Sequence, residues 1–216
     1  MNIYRKAALL SLSAIMLISF AFSAFADGTD THYETYQAYS PADGGILDGI
    51  SAESAVVIET GSRTVLAELN SDSQRSISHL AKLMTVLIAA EKIDAGEIST
   101  DDTVTVSAHA NSMGGTQIWL NVGEKITVDE LLKSITIGNA NDACVALAEK
   151  IAGSEEEFVS LMNEKASQLG MSNTKYINCT GMSEKTVSTA GDTAVLSCEL
   201  LKYEFLTPYF TTWIDN

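Results

Sequence analysis

The chain has 216 residues, 46% of them hydrophobic, and its 13 lysines and arginines face 28 aspartates and glutamates for a formal charge of −15. That balance repels phosphate backbones and argues against both nucleic acid and anionic lipid as partners. His32, His79 and His109 form no H-E-x-x-H arrangement, and there is no dinucleotide fingerprint, phosphate loop or G-x-S-x-G elbow, so neither a metal nor a cofactor is implied.

The N-terminus carries Arg5 and Lys6, then an apolar run from Ala7 to Phe20, then Ala24-Phe25-Ala26 and the polar Asp27. A short positive region, an apolar stretch and a small-x-small site form the pattern of a secretory signal peptide cleaved after Ala26. The serine-interrupted run is short for a membrane span. The expected location is therefore the cell envelope, periplasmic or extracellular. Without Arg5 and Lys6, 11 basic residues face 28 acidic ones, a formal charge of −17. The remaining 190 residues suffice for one domain, with or without a small subdomain.

Residues 27–45 are polar, dotted with tyrosine and without period, and read as a flexible lead-in. Ala55–Glu59 and Thr64–Ala67 flank Thr60-Gly61-Ser62-Arg63 and predict a β-hairpin. From Ile77 to Ile93 the apolar residues recur at three and four, predicting a helix stopped by Gly96. Val104 and Val106 suggest a short strand, and Ile118-Trp119-Leu120 another. Thr127-x-x-Glu130 is a capping box opening a helix to Ile137. Further helices are expected over 142–152, from Ser154-x-x-Glu157 to Gly170, and from about Thr189 to Tyr203. Cys144, Cys179 and Cys198 are an odd, widely spaced set, so at least one thiol is free; Cys144 reads as a small buried helix residue. Strands first and helices after suit an α/β (α+β) sandwich with a helical insert.

Three stretches resemble, in order, the low-molecular-mass penicillin-binding proteins, the serine D-alanyl-D-alanine carboxypeptidases. They are Ser78-His-Leu-Ala-Lys-Leu-Met-Thr85, Gly115–Leu132 running into Gly138-Asn-Ala-Asn-Asp-Ala143, and Leu169–Met182 followed by Ser188-Thr-Ala190. The resemblance implies a β-lactamase-like antiparallel sheet packed with helices, with peptidoglycan stem peptides ending in D-Ala-D-Ala, and β-lactams, as partners. It assigns 46–216 to a partial carboxypeptidase domain. The chain stops at Asn216, where the resemblance places the last strands still to come, so the expected fold is truncated at its C-terminus, with an open hairpin edge.

The family's reaction uses a serine nucleophile and a lysine base in S-x-x-K, a proton-relaying serine and an amide-holding asparagine in S-x-N, and a carboxylate-gripping K-T-G strand. Carried over residue by residue, Lys82 is the motif lysine and Asn141 the motif asparagine. His79 stands where the first serine would be, and Asn139 where the second would be. Lys185-Thr186-Val187 lacks the glycine, comes too early for K-T-G and reads as loop. Ser78 lies four rather than three residues before Lys82, which turns its side chain by about 100° and shifts it by about 1.5 Å. It is the alternative nucleophile, or else the N-cap of the helix from His79. Lys82 also reads as a solvated or ion-paired helix lysine, Asn141 as a helix-start residue and Asn139 as a cap.

The resemblance thus implies a carboxypeptidase-family protein that binds stem peptides and is catalytically impaired, because removing the nucleophile of a serine hydrolase costs roughly a millionfold in turnover. Three alternatives stay open: an active carboxypeptidase using Ser78, a non-enzymatic envelope interaction module, and an inert gene fragment.

Overall fold

The computed structural model describes residue 45 and residues 47–212. The expected signal peptide, and all of the lead-in except Gly45, lie outside the described residues.

The predicted hairpin forms. Ala55–Ile58 (β1) and Val65–Leu69 (β2) pair antiparallel, with a register irregularity between Val57 and Ile58. Val65 and Ala67 alternate into the core, as a two-residue period requires. Glu59 closes the turn by accepting from the hydroxyl and N–H of Ser62, both at 2.6 Å, and from the N–H of Gly61 at 3.0 Å; these bonds lower its pKa.

Arg75–Ser76 (β3) leads into the predicted long helix, which divides in two. Ser78–Ala81 form a 3-10 turn and Lys82–Asp94 (α1) the helix proper. Met84 through Ala90 are buried without a break, so α1 runs through the core rather than along its surface. Thr103–Thr105 (β4) pairs antiparallel with Lys125–Thr127 (β5), and the short helix Ala108–Asn111 (α2) lies between them in sequence.

The capping box appears as read. Glu130 N–H donates to Thr127 Oγ1 at 3.2 Å and Thr127 N–H to Glu130 Oε2 at 2.8 Å, opening Val128–Thr136 (α3). Asn141–Ala152 (α4) follows, and its first eight residues are all buried. Glu155–Gln168 (α5) starts on Ser154, whose Oγ accepts from Glu157 N–H. Val187–Ser188 (β6) pairs antiparallel with β3, and Ala190–Leu200 (α6) starts on Thr189. Thr207–Thr211 (α7) is tied to α3 by the Tyr209 hydroxyl, which donates to Asp129 at 2.5 Å; burial, with that carboxylate adding to it, raises the tyrosine's pKa.

Helix α4 packs on α1, α2, α3 and α5, while α6 packs on α1 and β1. The fold is therefore mixed α/β, as expected. Among the described residues its strands form three separate two-stranded antiparallel ribbons around a helical core. No described helix is long and apolar enough to cross a membrane.

Three further local readings are corrected. Ile118–Leu120 is not a strand: Trp119 has φ 63°, which breaks the extended run. Val187 belongs to a strand rather than to a loop, and Thr186 beside it is fully buried. The helix expected to reach Tyr203 ends at Leu200.

Candidate active site

Lys82 opens α1 with only 3% of its surface exposed. Its Nζ donates to the Thr180 carbonyl at 3.0 Å and lies 3.2 Å from His79 Nδ1. It is thus neither solvated nor ion-paired, contrary to the plainer of its sequence readings. Burial pushes the ammonium's pKa down, and the neighbouring Cys144 and Cys179 sulfurs oppose that shift.

His79 itself is exposed, on the 3-10 turn one step before α1. Ser78 begins that turn at φ 45°, also exposed, and its side chain does not cap the helix. The N-cap role expected for it is therefore not taken up. The turn is held from two sides: Ile77 N–H donates to the Thr186 carbonyl at 3.3 Å, and Gly181 packs against the Ser78 carbonyl. Gly181 has φ 77°, and a Cβ there would overlap the Ser78 carbonyl oxygen, so only glycine fits.

Asn141 is the first residue of α4 and fully buried, in keeping with its helix-start reading. Its N–H donates to the Thr116 carbonyl and its Nδ2 to the Gly114 carbonyl, both at 2.8 Å. Its Oδ1 is buried and has no partner. Gly115, at φ 74°, lies so close that a Cβ would come within 2.7 Å of Nδ2. Asn139 occupies the left-handed region at φ 54° in the turn between α3 and α4, a conformation asparagine tolerates better than serine. It shapes the turn and caps nothing, contrary to its expected role.

Two supports went unread in the sequence. The first is Asp142, fully buried, whose carboxylate accepts from Ile118 N–H at 3.2 Å, Leu120 N–H at 3.0 Å and Ala143 N–H at 2.9 Å. This clamp binds the Gly114–Leu120 segment to the start of α4 and throws Trp119 outward, 76% exposed. The second is the loop over 179–182. Its Thr180 carbonyl holds Lys82, and its Cys179 carbonyl accepts from Thr85 Oγ1 and Cys144 Sγ, both at 3.2 Å. Glu155, at the start of α5, anchors that loop by accepting from Cys179 N–H at 3.1 Å and Sγ at 3.3 Å, while its other oxygen meets His109 at 2.8 Å. The Cys-Thr-Gly-Met run was visible in the sequence, but its carbonyls carry no sequence signal.

The structure thus brings Lys82 and His79 into contact and joins α1 to α4 through Thr85, Cys144 and the 179–182 loop. At the position where the resemblance expects a serine, the atom that Lys82 Nζ meets is a ring nitrogen of His79. Among the described residues no group of three or more histidine, cysteine or acidic side chains is placed to hold a metal.

A sequence profile described as D-alanyl-D-alanine carboxypeptidase matches residues 39–216. The D-alanyl-D-alanine carboxypeptidase DacF of Bacillus subtilis is 44% identical over 207 residues, covering 94% of this chain and 50% of its own length. Among solved structures, penicillin-binding protein 6B from Escherichia coli superposes with a TM-score of 0.73 at 30% identity, over 80% of this chain and 56% of that one. Penicillin-binding protein D2 from Listeria monocytogenes, in an ampicillin-bound form, gives a TM-score of 0.64 at 27% identity, over 73% and 65%. The chain spans about half the length of the curated relatives it matches. By the extent of the profile match, the chain belongs to the D-alanyl-D-alanine carboxypeptidase family.

Proposed function

We propose that this chain is an exported cell-envelope protein, released by cleavage near Ala26, that binds peptidoglycan stem peptides ending in D-Ala-D-Ala without turning them over efficiently. The observation that carries this reading is the contact between His79 Nδ1 and Lys82 Nζ at 3.2 Å. The lysine's partner at the nucleophile position is an imidazole. An acyl group on imidazole is labile, and the ring is bulkier than a hydroxymethyl in a pocket shaped around a peptide.

Binding is supported by the retained half of the site. Asn141 keeps a buried, unpartnered Oδ1, an acceptor suited to a substrate amide. The ampicillin-bound form of the Listeria relative supports β-lactams as further ligands. Ser78 does not restore the nucleophile in this reading: its backbone lies in the left-handed region, and a displacement of about 1 Å from productive geometry can cost on the order of a hundredfold.

The test is release of D-alanine from a diacylated Lys-D-Ala-D-Ala peptide. The expected rate is that of the protein-free control. Release that disappears in Lys82→Ala contradicts the reading. Binding of the same peptide, followed by NMR line broadening, is expected to weaken in Asn141→Ala.

A further inference from the structure

Beneath Lys82, the buried Cys144 thiol meets the backbone of a second buried cysteine, Cys179. Cys144 lies one helical turn after Asn141 on α4, and its Sγ stands 3.2 Å from the Cys179 carbonyl oxygen. Cys179 comes from the 179–182 loop, 35 residues further along the chain, and both residues are fully buried. We propose that Cys144 and Cys179 are disulfide partners, joined while the chain folds, so that the bond pins the loop holding Lys82 to α4. Both residues are free thiols in the structure.

The surroundings separate this pair from the third cysteine. Cys198 sits on α6 among Arg63, Glu59 and Lys202. The odd count therefore resolves into a pair and a single thiol. The bond displaces only thiol contacts: Cys179 Sγ gives up its 3.3 Å contact with Glu155, and Cys144 Sγ its 3.2 Å contact with the Cys179 carbonyl and its 3.6 Å contact with Thr85. The Cys179 N–H bond to Glu155 involves no sulfur and can stay in place.

The chemistry balances with an external disulfide, RS–SR, as oxidant. One cysteine thiolate attacks RS–SR, giving a mixed disulfide and one RS⁻. The second cysteine thiolate then attacks the protein sulfur of that mixed disulfide, forming the Cys144–Cys179 bond and expelling the second RS⁻. The two protons lost by the cysteines end on the two RSH products. In the closed fold the neighbouring Cys144 thiol, followed by burial, pushes the Cys179 pKa well up, so exchange there is suppressed. The bond therefore belongs to the folding chain, before the core closes over it.

The experiment refolds the full, reduced chain from denaturant in a mixture of oxidised and reduced glutathione, then alkylates it and maps the peptides by mass spectrometry. The expected product is lighter by two hydrogens, carries a peptide cross-link between Cys144 and Cys179, and has Cys198 alkylated. Cys198→Ala is expected to give the same cross-link. Because the bond closes a long loop, the oxidised chain is expected to melt on the order of 10 °C above the reduced one. Three alkylated thiols, glutathione adducts alone, a bond to Cys198, or a melting midpoint at or below that of the reduced chain would each overturn the proposal. All of these readouts are independent of peptide turnover, so their failure is distinct from failure of the functional reading.

Discussion

The floor of the site and its rim differ in how tightly they are held. On the floor, Lys82, Asp142, Cys144 and Thr85 are buried, and each reaches a backbone group of another segment. On the rim, Ser78 and His79 are exposed and Asn139 is half-buried, with Ser78 and Asn139 at positive φ. The lysine and the asparagine of the resemblance are kept on the floor, and both replaced serines are on the rim. A floor residue cannot change without leaving a buried polar group unpaired, whereas a rim residue changes at little cost to folding. The same division separates the scaffold, which needs the floor, from the two positions on the rim where the resemblance expects serines.

The sharpest way to break this comparison is at Gly181, where floor and rim meet. Gly181→Ala is expected to destabilise the chain by about 3 kcal/mol, combining left-handed backbone strain with overlap against the Ser78 carbonyl. Urea unfolding measures this, and a loss below about 1 kcal/mol would mean the turn is not seated as described. Next is Asp142→Asn, which removes a charged acceptor from three N–H groups and is expected to cost about 2 kcal/mol. Its loss is also expected to free the Ile118–Leu120 segment, visible as faster amide exchange there. The smallest effect is on the rim: His79→Ser is expected to change stability by less than about 0.5 kcal/mol in the same urea titration. A larger change would place His79 among the structural residues.

The sequence and the structure agree where the signal is local. The Thr127/Glu130 capping box and the Ser154 cap were legible because each is completed within four residues. The Ile118–Leu120 strand was misread because its apolar run is local, whereas the Asp142 clamp that overrides it lies more than twenty residues away. The helix from Ile77 was read too long for the same reason. Its period continues to Ile77, but Gly181 and Thr186 dictate the tight turn before Lys82. The S-x-x-K spacing placed Lys82 and His79 on one turn, and they do meet. That Lys82 is held by a carbonyl, and that Glu155 anchors the loop supplying it, depends on backbone atoms that residue type does not encode.

The central claim is that the retained floor carries no working nucleophile. Incubating the intact chain with benzylpenicillin and weighing it by mass spectrometry tests that most directly. The unmodified mass is expected at all times of incubation. A covalent penicilloyl adduct mapped to Ser78, and absent in Lys82→Ala, would contradict it and make the exposed serine the nucleophile.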